Sequence, residues 1–343
     1  MPSRRNDRAV GIEDVARAAG VSITTVSHAF SGRGQVAQKT RARILQVAED
    51  LGYAPNRLAS SLRTRRSNIL GFVSDDIATT PFATRVVLGG QDAAAERDQL
   101  LVVVNSNRDA AIELDQLTAL MSAQVDGIVY ARMFHQEATS LPPQLGRVPT
   151  ALLDTSDPEG NMPSAVPDEV QIGRLATETL LRAGHTEIAH LTICEPGSAR
   201  DGRIAGYSAA MQAAGQVPRI VTVPEPADAR AGRAAFAEMT QGPAAAATGV
   251  FAFNDPMAMG VYQVAVRGGI RVPEELSVVG VDDFEPVAAS LLPGLTTVAL
   301  PHYEMGRWGV ETVLAMLDGD EVPHPHRLLR GTLVERESVA PPR

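Results

Sequence analysis

Asp14-Val-Ala-Arg-Ala-Ala-Gly-Val-Ser-Ile-Thr-Thr-Val-Ser-His-Ala-Phe30 holds two short helical periods separated by a break. Apolar Val15, Ala19, Val21, Val26 and Ala29 recur at helical spacing, starting from Ile12. Ala16 is small enough for a second helix to cross over it. Gly20 accepts the left-handed backbone that ends the first helix. Ser22 is placed to cap the second, a role worth ~1 kcal/mol. The outward residues of that second helix are Ile23, Thr24, Thr25, Ser27 and His28. All are short or flat, so the helix can lie close against base edges in a major groove. An ordinary helical hairpin with a polar outer face fits the same pattern.

Working outward, the charge is divided. The chain of 343 residues has a net charge of -9. Residues 1–66 nevertheless hold twelve Arg/Lys against five Asp/Glu, and the remainder 19 against 35. A basic head on an acidic body suits a polyanion held at one end and repelled elsewhere. No apolar run reaches the ~18 residues of a membrane span. Met1-Pro-Ser-Arg-Arg-Asn-Asp-Arg is basic but leads into no apolar signal core. The single Cys194 forms no internal disulfide, and no Cys/His cluster has metal-ligand spacing. The expectation is a cytoplasmic protein without metal or cofactor.

After Phe30 comes a loop carrying Arg33, then a third helix from about Gln38 to Leu51. Its expected buried stripe is Ile44, Leu45, Val47, Ala48 and Leu51. Arg41 and Arg43 lie off it, either reaching phosphates or solvated. Gly52 ends the helix and Tyr53-Ala-Pro-Asn56 breaks the chain. The segment 56–62 has a helix start signal but is too short to be stable alone. It is either a flexible tether or a helix that forms on DNA. From Ile69 strands and helices alternate. Strands are expected at Ile69–Val73, Leu100–Val104, Gly127–Tyr130 and Thr150–Leu153, then at Ile188–Ile193, Ile220–Val223, Gly249–Phe253 and Ser277–Val281. The alternation predicts an α/β core of two doubly wound parallel-sheet subdomains behind an all-α helix-turn-helix head. Ligands in such folds bind at the carboxyl ends of strands, where Asn254-Asp255 and Asp282-Asp283 fall.

The chain resembles the lactose/galactose-repressor family over essentially its whole length. The carrying stretches are Asp14-Val-Ala…Gly-Val-Ser…Thr-Val-Ser, Leu51-Gly-Tyr-Ala-Pro-Asn, Asp126-Gly-Ile and Gly184-His185. Further on stand Arg203-Ile-Ala-Gly-Tyr207, Phe253-Asn-Asp-Pro-Met-Ala, Val272-Pro-Glu-Glu-Leu-Ser-Val-Val-Gly-Val-Asp-Asp283 and Leu295-Thr-Thr. Thr24–His28 is most similar to the family's purine-repressor branch. The resemblance implies a periplasmic-binding-protein-like core and a homodimer, or a higher assembly, that represses from a pseudo-palindromic operator. It implies a helix-turn-helix domain over 1–55, a hinge helix and linker over 56–68, and a core over 69–343. Within the core it puts an N-subdomain at about 69–166 and 298–325, and a C-subdomain at about 167–297 and 326–340. DNA contacts are implied for Ser22, Ile23, Thr24, Thr25, Ser27, His28 and Arg33, with Ile23, Thr24 and His28 reading bases. In the hinge they are implied for Asn56, Ala59, Leu62 and Arg63, Leu62 being an apolar wedge in the minor groove.

A small polar effector, sugar-like, is implied between the subdomains, at Phe82, Asp154, Arg203, Asn254 and Asp282. Two carboxyls, an amide and a guanidinium suit the hydroxyls of such a molecule. Two of these residues keep a second reading: Asp282 as the cap of a turn, Arg203 as a bridge to a nearby carboxylate. The chain also departs from the family at Leu300, Ala227 and His302, which removes part of the usual wall. An enzyme is disfavoured: there is no Gly-x-Gly-x-x-Gly after a strand, no phosphate loop and no Gly-x-Ser-x-Gly elbow. Glu187 and His190 lack metal-helix spacing. A sugar-transport protein would need an export signal and no DNA-binding head. The remaining alternative keeps the fold and replaces the inducer by a corepressor or a partner protein.

Overall fold

The computed structural model describes residues 10–31, 34–53, 66–78, 80, 84–322 and 325–343. The chain divides into two compact units, Met1–Asn68 and Ile69–Arg343.

In the first unit, α1 (Ile12–Ala19), α2 (Ile23–Ser31) and α3 (Gln38–Asp50) close on one small core. Val15, Val26, Ala29 and Ile44 are fully buried there, with Ala16, Ala19 and Ala48 beside them. Gly20 takes φ 64°, so the chain reverses while Val21 N–H bonds back to the Ala16 carbonyl at 3.0 Å. The Phe30 and Tyr53 rings meet edge to face, centroids 5.7 Å apart, and tie the end of α2 to the chain that leaves α3. The expected stripe on α3 needs correction. Leu45 and Leu51 are 41% and 38% exposed. The inward face is set by the pair Ile44 and Ala48, and Leu45 lies one residue, or ~100°, round the helix from it.

The second unit holds two six-stranded sheets. The first contains β1 (Ile69–Ser74), β2 (Leu100–Asn105), β3 (Gly127–Glu137), β4 (Thr150–Ser156), β5 (Ser164–Pro167) and β11 (His326–Leu329). Their order is β11-β5-β4-β3-β1-β2, all parallel. The second contains β6 (Ile188–Ile193), β7 (Arg219–Val223), β8 (Gly249–Ala252), β9 (Ser277–Asp282), β10 (Thr296–Ala299) and β12 (Thr332–Val334). Their order is β12-β10-β9-β8-β6-β7, with only β12 antiparallel. Buried runs such as Val250 and Phe251, or Val278 and Val279, give strands apolar on both faces, as parallel sheets covered by helices require.

On the first sheet α4 (Thr84–Glu96) packs against α11 (His302–Asp318). On the second, α6 (Glu169–Arg182) packs against α7 (Ser198–Ala213), and α8 (Ala229–Gln241) against α9 (Asp255–Arg267). The α6–α7 contact is backbone to backbone. A Cβ on Gly206 would collide with the Val170 carbonyl oxygen, and one on Gly202 would strike the Glu169 side chain. Glycine at these positions draws the start of α6 against α7.

Three crossovers join the sheets, and two fall later than expected. Val298 and Ala299 pair with β9 in the second sheet, not the first. His326–Leu329 pairs with β5 in the first sheet, so the last return follows Leu329 rather than preceding His326. Sequence periodicity marks a strand but not which sheet receives it. β3 also outruns its expected end at Tyr130: a register shift between Ala131 and Gln136 carries it on to Glu137.

Candidate functional site

The head presents α2. Ser22 Oγ accepts the Thr25 amide at 3.1 Å and shares a hydrogen bond with Thr25 Oγ1 at 2.8 Å. Both hydroxyls are thus engaged in starting the helix. Ile23 is 47% exposed and Thr24 is exposed, while Thr25, Ser27 and His28 are half-buried. The His28 ring rests beside Gly34, where an added Cβ would come 2.6 Å from its Nδ1. Arg41 and Arg43 are exposed on α3. Arg33, Asn56, Ala59, Leu62 and Arg63 lie outside the described residues, as does Phe82 in the core.

Between the carboxyl ends of the two sheets lies a narrow cavity of about 50 Å³, space for a few water molecules. It brings together Asp154, Arg203, Asn254 and Asp282, from β4, α7, the residue before α9, and β9. Leu300 and His302, at the crossover into α11, also face it; Ala227 does not line it. Glu169 at the start of α6, His135 on the extension of β3, and Phe253 add to the polar and aromatic lining, beside Phe134. None of these three stood among the expected site residues.

Arg203 is held on three sides. Its Nε donates to Glu169 Oε2 at 2.8 Å and its Nη1 to the Phe253 carbonyl at 2.6 Å. The guanidinium lies over the Phe253 ring, 4.6 Å from the centroid. Both partners of the ion pair are 4% exposed, so the charges balance each other out of water. Bridging to a carboxylate was one of the two readings open for Arg203. The close approach of α6 and α7 makes it the observed one. Glu169 Oε1 also stands 3.6 Å from His135 Nδ1, a contact that crosses the cleft. Burial pushes the Glu169 carboxyl upward, but the Arg203 charge and hydrogen bond, with His135 nearby, outweigh it and hold it below its ordinary range.

Asn254 is largely spent on the fold. Its Oδ1 accepts the Met257 amide at 2.9 Å as the cap of α9, and its Nδ2 donates to the Ala227 carbonyl at 2.8 Å. Asp282 does not cap the turn that follows it. Asp255 does, accepting the Phe284 amide at 2.8 Å and the Thr297 hydroxyl at 2.6 Å.

Asp154 and Asp282 differ from their neighbours. Neither carboxyl takes a hydrogen bond from a described residue, although Asp154 is 5% exposed. Both sit at positive φ, 54° and 119°, and backbone strain of this kind gathers at ligand sites. Burial drives the Asp154 carboxyl well above its ordinary range, helped by the Glu169 and Asp75 charges and opposed by Arg203. Burial likewise raises Asp282 to about 7, with Arg203 opposing and Glu169 adding.

Among the described residues no group of His, Cys, Asp and Glu is arranged to hold a metal ion, and no helix is long and apolar enough to cross a membrane. The model for bacterial regulatory proteins of the lacI family matches residues 11–56, and that for a periplasmic binding protein-like domain matches 177–339. The ribose operon repressor of Escherichia coli (strain K12) is 31% identical, covering 96% of this chain and 99% of its own. The HTH-type transcriptional regulator RegA of Clostridium saccharobutylicum is also 31% identical, covering 96% and 99%. The crystal structure of the Lac repressor dimer bound to operator and the anti-inducer ONPF superposes with a TM-score of 0.77 at 25% identity, covering 97% of this chain and 100% of that one. Head, sheets and relatives agree: the chain belongs to the lacI family of bacterial regulatory proteins, DNA-binding transcriptional repressors and not enzymes.

Proposed function

We propose that the protein represses transcription in the bacterial cytoplasm as a homodimer on a pseudo-palindromic operator, and that a small polar molecule in the cleft sets its affinity for DNA. Each chain has one reading helix, so a two-fold operator calls for two chains. Ile23 and Thr24 stand outward on α2, with His28 beside them, as base readers. The cleft divides an N-subdomain built on the first sheet from a C-subdomain built on the second. The buried Asp154 carboxyl, which lines the cavity and takes no hydrogen bond from a described residue, carries the effector reading. A native protein leaves such a group unsatisfied where something else completes it. Ligand entry requires the two halves to part, because the cavity is narrow.

The test has two steps. Selection from randomised duplexes with the full chain should return a palindromic site. Metabolites titrated against that site should then change its affinity, an inducer weakening binding and a corepressor tightening it. A half-site bound tightly by a monomer would refute the dimer. An operator affinity indifferent to every small molecule would transfer control to a partner protein.

A further inference from the structure

His28 stands four residues after Thr24 on α2, and so beside it on one side of the helix. Among the described residues its ring makes no hydrogen bond. What the ring does touch is Gly34, in the loop that leads to α3. Gly34 takes φ 81°, which suits glycine and strains an L side chain. A Cβ built there would stand 2.6 Å from His28 Nδ1 and 3.0 Å from both Cγ and Cε1. Distances so nearly equal put that Cβ over the flat of the imidazole and not at its rim. The ring therefore lies against bare backbone, while its N–H groups, which point outward in the ring plane, stay clear of Gly34. A side chain at this position would displace the imidazole, which turns about χ1 and χ2, sooner than it would disturb the core of the head.

Resting on the reading of His28 as a base reader, we propose that Gly34 is a positioning residue for operator recognition: it holds the His28 imidazole in the orientation from which it reads its base. A histidine on a helix surface otherwise samples several rotamers. Fixing one before DNA arrives reduces the ordering that binding must impose. Gly34 itself touches no base. Its lack of a side chain sets the direction of the ring, and through the ring the base pair that is preferred.

Selection from randomised duplexes tests this, using the full chain as wild type, His28→Ala, Gly34→Ala, Gly34→Asn and Gly52→Ala. Asparagine tolerates the positive φ while still adding the Cβ. Gly52, at φ 65°, makes the same demand on the backbone, but an added Cβ there meets nothing within 4 Å. Gly52→Ala therefore reports a general loosening of the head. Both Gly34 variants should relax preference about five- to tenfold at the operator position that His28→Ala relaxes, and at no other. In the His28→Ala background, Gly34→Ala should add nothing at that position. Gly52→Ala should leave the motif intact. Gly34 variants that keep the wild-type motif, where His28→Ala changes it, would overturn the positioning role and leave His28 a base reader. The role also falls if Gly52→Ala relaxes the same position, or if the effect of Gly34→Ala survives in full without His28. A motif unchanged in His28→Ala would remove His28 from base reading and the proposal with it.

Discussion

Arg203 and Glu169 define a fault line at the scale of single residues. Glu169→Gln leaves a guanidinium 4% exposed without its counter-charge. Breaking a buried pair from one side costs about 3–5 kcal/mol, so urea unfolding should show a loss of that order. The double change Glu169→Leu with Arg203→Met should recover most of it; a single variant as stable as the wild type would refute the pair's role. His190 offers a second test. It is fully buried on β6, stacked on Phe251 at 4.2 Å, with Nδ1 3.0 Å from the Phe251 carbonyl oxygen. Burial lowers its pKa to about 3, the Phe251 carbonyl opposing and the Arg203 and Arg200 charges adding. The unfolded chain takes up this proton near pH 6.5 and the folded one does not. Stability is therefore lost as pH falls below about 6.5, by roughly 2 kcal/mol at pH 5. The raised carboxyls run the other way: Asp282 favours the fold below its unfolded pKa and loses that contribution as pH rises through about 7. Subtracting the curve of His190→Phe from that of the wild type isolates the histidine. The variant should gain about 2 kcal/mol on the wild type between pH 7 and pH 5, and a difference that stays constant would clear His190. The sequence marks Arg203 as a site residue, but not Glu169. A carboxylate in the first turn of a helix reads as a complement to the helix dipole. Only the packing of another helix across it, set by Gly202 and Gly206, turns it into a buried counter-ion.

Among the elements, α6 and α7 stand or fall by their glycines. Gly206→Ala would force Cβ against the Val170 carbonyl, which is helix backbone and cannot rotate away. Overpacking of this kind costs about 1–3 kcal/mol, and the α6–α7 separation that relieves it would also loosen the Glu169–Arg203 pair. A thermal midpoint equal to wild type would show the contact to be slack. In the head, the cap and the reading face are separable. Ser22→Ala removes the acceptor that starts α2, worth ~1 kcal/mol, and should weaken binding to all operators alike. Thr24→Ala, further along the exposed face, should instead relax preference at one operator position by about 1–3 kcal/mol. Selection from randomised duplexes distinguishes the two, and an unchanged motif with the Thr24 variant would remove it from base reading. Most strands and helices were legible because their apolar periods are local. What escaped was non-local: the exposure of Leu45, and the sheet that receives Val298 or Leu328, depend on neighbours far away in sequence.

For the molecule as a whole, the proposed function turns on how a ligand in the cleft would alter binding at the operator. Only a difference in affinity for two arrangements of the cleft can do so, with couplings of ~1–3 kcal/mol typical. Arg203 is poorly placed to sense closure: both its partners, Glu169 and Phe253, belong to the second-sheet side, so its bonds survive when the halves part. One contact that parting must break is His135 to Glu169, 3.6 Å across the cleft from β3 to α6. His135→Leu removes it while leaving the buried ion pair in place. In this variant a ligand of the cleft should still bind, as thermal shift reports, but its effect on operator affinity should fall by about tenfold, the equivalent of ~1.4 kcal/mol of coupling. Salt provides the control. The basic head should give operator affinity a log–log slope of about −0.9 per phosphate neutralised. That slope should be the same in wild type and variant if His135 acts on the cleft and not on DNA. A gel-shift series with and without ligand, at two salt concentrations, reads both quantities. Full ligand response in His135→Leu would remove the contact from the switch, and an altered salt slope would relocate the effect of His135 to the DNA-binding surface.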